Sequence, residues 1–199
     1  RMLVLHDLPP VTLEGGRHLI GHGARALLQH GFAQAGAPWD EAASPTLFDA
    51  FIDDYLDHIA DHTRPFDGVE ETLDRLKRRG ARLAVATNKR TDLALALTDA
   101  LDLTRWFEVV AGPDRVSARK PSGAHLIETA RLAGGDPTRA VMVGDSTTDT
   151  GAARDAAMPC VAVSFGYADV APGLLGGDVT IDGYHQLEAT IDALLGRRI

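Results

Sequence analysis

The sequence predicts an α/β fold in two parts, a small all-helical domain followed by a parallel sheet flanked by helices. Two patterns predict it. Up to about residue 62, apolar positions recur at helical spacing, in Ala24 to Phe32 and again in Leu47 to Ile59. Pro9-Pro10, Gly15-Gly16 and Ala37-Pro38 punctuate this part. After Arg64-Pro65, short apolar runs alternate with helix-length segments, as in parallel strands joined by right-handed crossovers. The domains are therefore expected at 1–62 and 63–199.

Taken in order, Met2 to Leu5 is the one run in the first part that could be read as a strand. Val69 to Arg79 reads as a helix, with Gly80 placed for a left-handed cap. Arg82 to Ala86 is a short buried strand, Asp92 to Leu101 a helix and Phe107 to Ala111 a second strand. Ser122 to Leu132 is helical and Ala140 to Val143 a third strand. Thr150 to Ala157 is helical and Cys160 to Val163 a fourth strand. Val179 to Ile181 adds a fifth before a last helix from about Gln186 to Leu195.

Composition narrows the function classes. Of 199 residues, 45% are hydrophobic and 24% charged, which excludes a wholly disordered chain. No apolar run reaches the roughly 20 residues needed to cross a bilayer, so no membrane role is expected. A net charge of -8 argues against a nucleic-acid or anionic-lipid footprint. The single cysteine, Cys160, excludes an internal disulfide framework and fits a reducing, cytoplasmic setting. The chain opens Arg1-Met2-Leu3, without an initiator Met or a basic-then-apolar leader, so coding sequence is expected upstream.

In an open parallel sheet, chemistry sits beyond the carboxyl ends of the strands. Three places there carry it. Thr87 and Asn88 follow the first strand, where a hydroxyl and backbone N–H groups can cradle an oxyanion; Thr87 reads equally as a helix N-cap. Lys120, one of only three lysines, precedes Pro121 and can bring a compact ammonium to a phosphoryl group, or be a solvated surface lysine. Asp145 and Asp149 bracket Ser146, Thr147 and Thr148 after the third strand. Two carboxylates four residues apart with hydroxyls between them suit Mg²⁺, or else end a strand and cap a helix. Hydroxyl, ammonium and carboxylates at one sheet's carboxyl ends together call for a phosphoryl group.

Leu83 to Lys89, Arg119-Lys120-Pro121, and Val143-Gly144-Asp145 through Asp149 resemble the second, third and fourth motifs of the haloacid dehalogenase superfamily. Phe66-Asp67-Gly68-Val69, Leu19 to Leu27 and Phe165-Gly166-Tyr167 make the chain similar to its phosphoglycolate phosphatase branch. The resemblance implies a Rossmann-like core under a helical C1-type cap. It implies Mg²⁺-dependent hydrolysis of a small anionic phosphate monoester, foremost 2-phosphoglycolate, through an aspartyl-phosphate. Thr87, Asn88 and Lys120 would bind phosphate, Lys120 would also steady the nucleophile, Asp145 would ligate Mg²⁺, and Asp149 would stand behind it. The family's first motif, Asp-x-Asp-Gly-Thr, is absent from these residues and is expected upstream of Arg1. Leu3 to Asp7, an apolar run ending in Asp, is a disfavoured alternative with Asp7 as nucleophile, because Leu8-Pro9-Pro10 stands where the second Asp and Gly belong and the resemblance makes Arg1 to Leu5 the end of a cap helix. Other readings are a phosphatase of another sugar phosphate or nucleotide, or a non-catalytic phosphate-binding relative.

Gly21-His22-Gly23-Ala24-Arg25-Ala26 loosely matches a dinucleotide fingerprint but follows no strand. It reads better as a cap loop, with Arg25 either pairing a substrate carboxylate or solvated. His58 and His62 stand at zinc-ligand spacing without a third ligand, so a polar helix face is the reading. Response-regulator receiver domains use similar groups, but their acidic residues precede Thr and Lys, whereas here the order is Thr87, Lys120, Asp145. The oligomeric expectation is a monomer or homodimer.

Overall fold

A computed structural model describes residues 1–12, 24–42, 44–168 and 170–196. The chain divides into two compact units, Arg1–His62 and Thr63–Ile199. The described part of the first unit is helical: α1 is Met2–Leu5, α2 Ala24–Gln34 and α3 Ser44–Asp57. Met2–Leu5 is thus a helix turn and not a strand, with the Leu5 N–H donating to Arg1 O at 2.9 Å. Met2, Leu3, Leu28 and Phe32 form the buried side of this unit. Gly31 lets α2 pass close to α1, since a Cβ there would stand 3.2 Å from Leu3 Cδ1. Gly21-His22-Gly23 lies outside the described residues.

The second unit alternates helix and strand: α4 (Val69–Arg78), β1 (Ala84–Ala86), α5 (Thr91–Ala100), β2 (Val109–Ala111), α6 (Gly123–Leu132), β3 (Met142–Gly144), α7 (Thr147–Asp155), β4 (Cys160–Val163), β5 (Val179–Ile181) and α8 (Leu187–Leu194). Charge and caps explain α4. Glu70 and Glu71 lie in its first turn and Arg75, Lys77 and Arg78 in its last, each complementing the helix dipole. Gly80 follows with φ +83°, the left-handed stop that its residue type predicts. The first strand begins at Ala84 and not Arg82, because the Leu83 N–H is taken by Glu108 Oε2 at 2.7 Å.

Every strand pair is parallel, and helices flank the strands, as in a Rossmann-like core. The strands form two sheets, β1-β2 and β3-β4-β5, where the sequence led us to expect one. No strand among the described residues pairs β1 with β3, so each of these two is paired on one side only. Burial follows the same division. All of β2 and β4 is buried, whereas β1 and β3 are partly exposed. Successive residues of β4 serve opposite faces. Val161 and Val163 pack with Leu76, Ile181, Leu187 and Ile191 on one side, and Cys160 packs with Leu126, Ala152, Ala153 and Met158 on the other. Burial also pushes the Cys160 thiol up to about 12, aided by Asp149 and Asp178, which leaves it inert. Helices α6 and α7 approach so closely at Gly123 that a Cβ there would lie 2.4 Å from Ala156 N.

Candidate active site

The site is built where β1, β3 and the loop after β2 end. At the tip of β1, the Thr87 N–H still donates to Ala111 O at 3.0 Å, continuing the strand pairing. Thr87 Oγ1 then accepts the Lys89 N–H at 3.1 Å, so the hydroxyl closes the turn while its own proton remains available to donate. The Asn88 backbone N–H carries no hydrogen bond among the described residues. The Asn88 carboxamide, in contrast, is engaged: Nδ2 donates to Lys120 O at 3.0 Å, and Oδ1 accepts the Lys120 N–H at 2.9 Å.

Lys120 is no surface lysine. It is 8% exposed, and its Nζ donates to Ala86 O and to Asp149 Oδ1, both at 2.6 Å. Burying an ammonium is costly unless it is paired and hydrogen-bonded, and here it is both. The Lys120–Pro121 peptide is cis.

Asp149 combines the two roles that its residue type left open. As the third residue of α7 it completes a capping box with Ser146, and it also pairs Lys120. Its Oδ2 accepts from Ser146 Oγ at 2.8 Å and from the Asp145 and Ser146 N–H groups at 3.2 Å. Both oxygens are therefore occupied. Asp145 differs: Oδ2 accepts the Tyr167 N–H at 2.7 Å, and Oδ1 has no hydrogen bond among the described residues. Glycine makes room for both carboxylates. A Cβ on Gly144 would stand 2.4 Å from Asp149 Cβ, and one on Gly166 2.3 Å from Asp145 Cβ. Among the described residues, no three His, Cys, Asp or Glu side chains gather as a metal cluster.

Thr87, Asn88, Lys120, Asp145 and Asp149 are thus linked at the strand ends. Arg25 belongs to the other unit. It pairs with Glu41, lies 6.0 Å from the Trp39 ring, and lines a pocket of about 200 Å³ with Ser44, Pro45, Phe48 and Asp49. Asp7, also in that unit, follows a helix with φ +56°, not a strand. Gly166 and the Tyr167 N–H are site groups to which sequence reasoning gave no role, although Phe165-Gly166-Tyr167 stood just past β4. Phe165 meets Phe66 edge-to-face and Tyr167 meets it at a tilt, with ring centroids 5.5 and 6.0 Å apart.

A sequence model of haloacid dehalogenase-like hydrolases matches residues 2–163. The chain belongs to that family. It is 48% identical over 183 residues to a phosphoglycolate phosphatase of Caulobacter vibrioides, covering 92% of this chain and 77% of that protein. It is 32% identical over 196 residues to an N-acetylmuramic acid 6-phosphate phosphatase of Pseudomonas aeruginosa, covering 98% of this chain and 85% of that one. A crystal structure of a predicted phosphoglycolate phosphatase from Haemophilus somnus 129pt superposes with a TM-score of 0.87 at 26% identity, covering 95% of this chain and 86% of that one. The phosphatase class and the Rossmann-like core with a helical region expected from the motifs therefore hold. The family places this chain among hydrolases; its particular chemistry rests on the site.

Proposed function

We propose that the strand-end site hydrolyses small phosphate monoesters with Mg²⁺, and that 2-phosphoglycolate is the substrate. The observation carrying this reading is Lys120, a buried ammonium held between the tip of β1 and Asp149, beside a turn with an unengaged N–H. Phosphoryl transfer asks the protein chiefly for positioning and charge neutralisation. Lys120 would neutralise phosphoryl oxygens and steady the attacking carboxylate. The Thr87 hydroxyl and the Asn88 backbone N–H would orient the phosphoryl group.

The residues present fit Mg²⁺. Such an ion takes one or two carboxylates and keeps several waters, and Asp145 Oδ1 offers one unengaged oxygen. Asp149, with both oxygens occupied, would hold Lys120 and the Asp145 turn in place and not ligate the ion. When bound, Mg²⁺ would supply positive charge to the phosphoryl oxygens.

The nucleophile would be the Asp of the first motif, upstream of Arg1, and its aspartyl-phosphate would then be hydrolysed by water. The one-sided pairing of β1 and β3 supports this: a strand carrying that Asp would complete both ladders and deliver it beside Lys120. The first unit would act as the cap, domains 1–62 and 63–199 dividing the work, with Arg25 selecting a substrate carboxylate. A second reading, another sugar phosphate, is favoured by the relative from Pseudomonas aeruginosa and by the pairing of Arg25 with Glu41, which competes with a substrate carboxylate.

The test is phosphate release with and without Mg²⁺ from 2-phosphoglycolate, hexose 6-phosphates and a nucleoside monophosphate, using a form that carries the first motif. Metal-dependent release, fastest from 2-phosphoglycolate, is expected. Preference for a hexose phosphate would overturn the substrate, and no release from any ester would leave a phosphate-binding relative without catalysis.

A further inference from the structure

We propose that Asn88 is a positioning residue whose carboxamide fixes the place of the Lys120 ammonium without itself touching substrate. The inference concerns the site of the proposed phosphatase and rests on that reading for its effect on turnover. Its structural half rests on geometry alone.

Lys120 lies in the connection between β2 and α6, a segment of turns and bends with no regular helix or strand. Its nearest backbone bonds are local, such as Ser122 N–H to Arg119 O at 3.0 Å, and do not register it against a strand. Asn88 does. Its amide meets the same residue twice, donating to Lys120 O and accepting from Lys120 N, as a neighbouring strand would. Because Asn88 stands two residues beyond Ala86, the end of β1 grips Lys120 at both extremities: the main chain through Asn88, the ammonium through Ala86 O. A four-carbon stem pinned at both ends loses the rotamer freedom that a lysine otherwise keeps. Oδ1 and one of the two Nδ2 hydrogens are thus committed to Lys120. The group of Asn88 that the proposed function assigns to the phosphoryl oxygens is its backbone N–H.

Two variants test this, Asn88→Ala and the similarly sized Asn88→Leu, which guards against a cavity defect. Lys77, Lys89 and Lys120 are the only lysines, so reductive methylation with ¹³C-formaldehyde resolves each by NMR. With Lys77 as internal reference, Lys120 should label roughly tenfold faster in both variants than in the unaltered chain. Unchanged Lys120 labelling in both would overturn the proposal, whatever the activity. In the form carrying the first motif, Asn88→Leu should lower kcat roughly tenfold through a displaced ammonium. Combined with Lys120→Ala, it should cost less than about twofold more than Lys120→Ala alone. Losses that multiply would mean that Asn88 acts on substrate directly, and the positioning role would fall. Should Lys120→Ala leave kcat unchanged, the phosphatase reading fails, while the labelling result still decides the clamp.

Discussion

His125 is fully buried on α6, and its Nε2 meets Ala111 O at 3.2 Å, the same carbonyl that receives the Thr87 N–H. A carbonyl only accepts, so Nε2 carries a proton. Nδ1 is buried without a hydrogen-bond partner among the described residues, and a second proton there would leave an unpaired charge in the core, which favours the neutral ring. Burial lowers its pKa from the ordinary 6.5; the hydrogen bond to the Ala111 main chain opposes this, the Lys120 charge lowers it further, and the Ala118 main chain and Glu128 oppose it least, the net direction being downward. The unfolded chain therefore takes up a proton near pH 6.5 that folded His125 refuses, so its contribution to stability is complete above that pH and is lost as pH falls below it. Melting temperatures measured from pH 7.5 to 5 should fall less steeply for His125→Gln than for the unaltered chain; parallel curves would contradict a neutral buried His125. At this scale the gathering of Thr87, Lys120 and Asp145 was legible, because each follows a strand of the parallel core. The partners were not. Asn88 and Lys120 are 32 residues apart, and the Tyr167 N–H is a main-chain group that any residue type could provide.

Among the elements, α7 depends most plainly on its first turn. Ser146 Oγ both accepts from the Asp149 N–H and donates to Asp149 Oδ2, so one hydroxyl caps the helix and orients the carboxylate that holds Lys120. Ser146→Ala should cost about 1 kcal/mol of stability, read as a lower urea midpoint at unchanged slope. An unshifted midpoint would mean that the cap contributes nothing. The helices and strands were readable from spacing, and Val179 to Ile181 and Cys160 to Val163 were placed to the residue. Helix starts were less so. The expected Thr150 start of α7 is in fact Thr147, because apolar spacing is silent in a first turn made of Thr147, Thr148 and Asp149. The division into two sheets was equally silent: alternation reports that strands exist and not which strand pairs with which.

In the molecule as a whole, the net charge is -8, so an anion site would have to supply its positive charge locally. In the proposed reading one buried lysine, the unengaged Asn88 N–H and an ion held at Asp145 would do so. Among the described residues no helix is long and apolar enough to cross a membrane. In the proposed function Asp145 holds the Mg²⁺ on which turnover depends. The deciding measurement is phosphate release from 2-phosphoglycolate, with and without Mg²⁺, by the unaltered protein and by Asp145→Ala, both carrying the first motif. Mg²⁺-dependent release by the first and none above background by the second is the predicted result. Undiminished, Mg²⁺-dependent turnover in Asp145→Ala would contradict it.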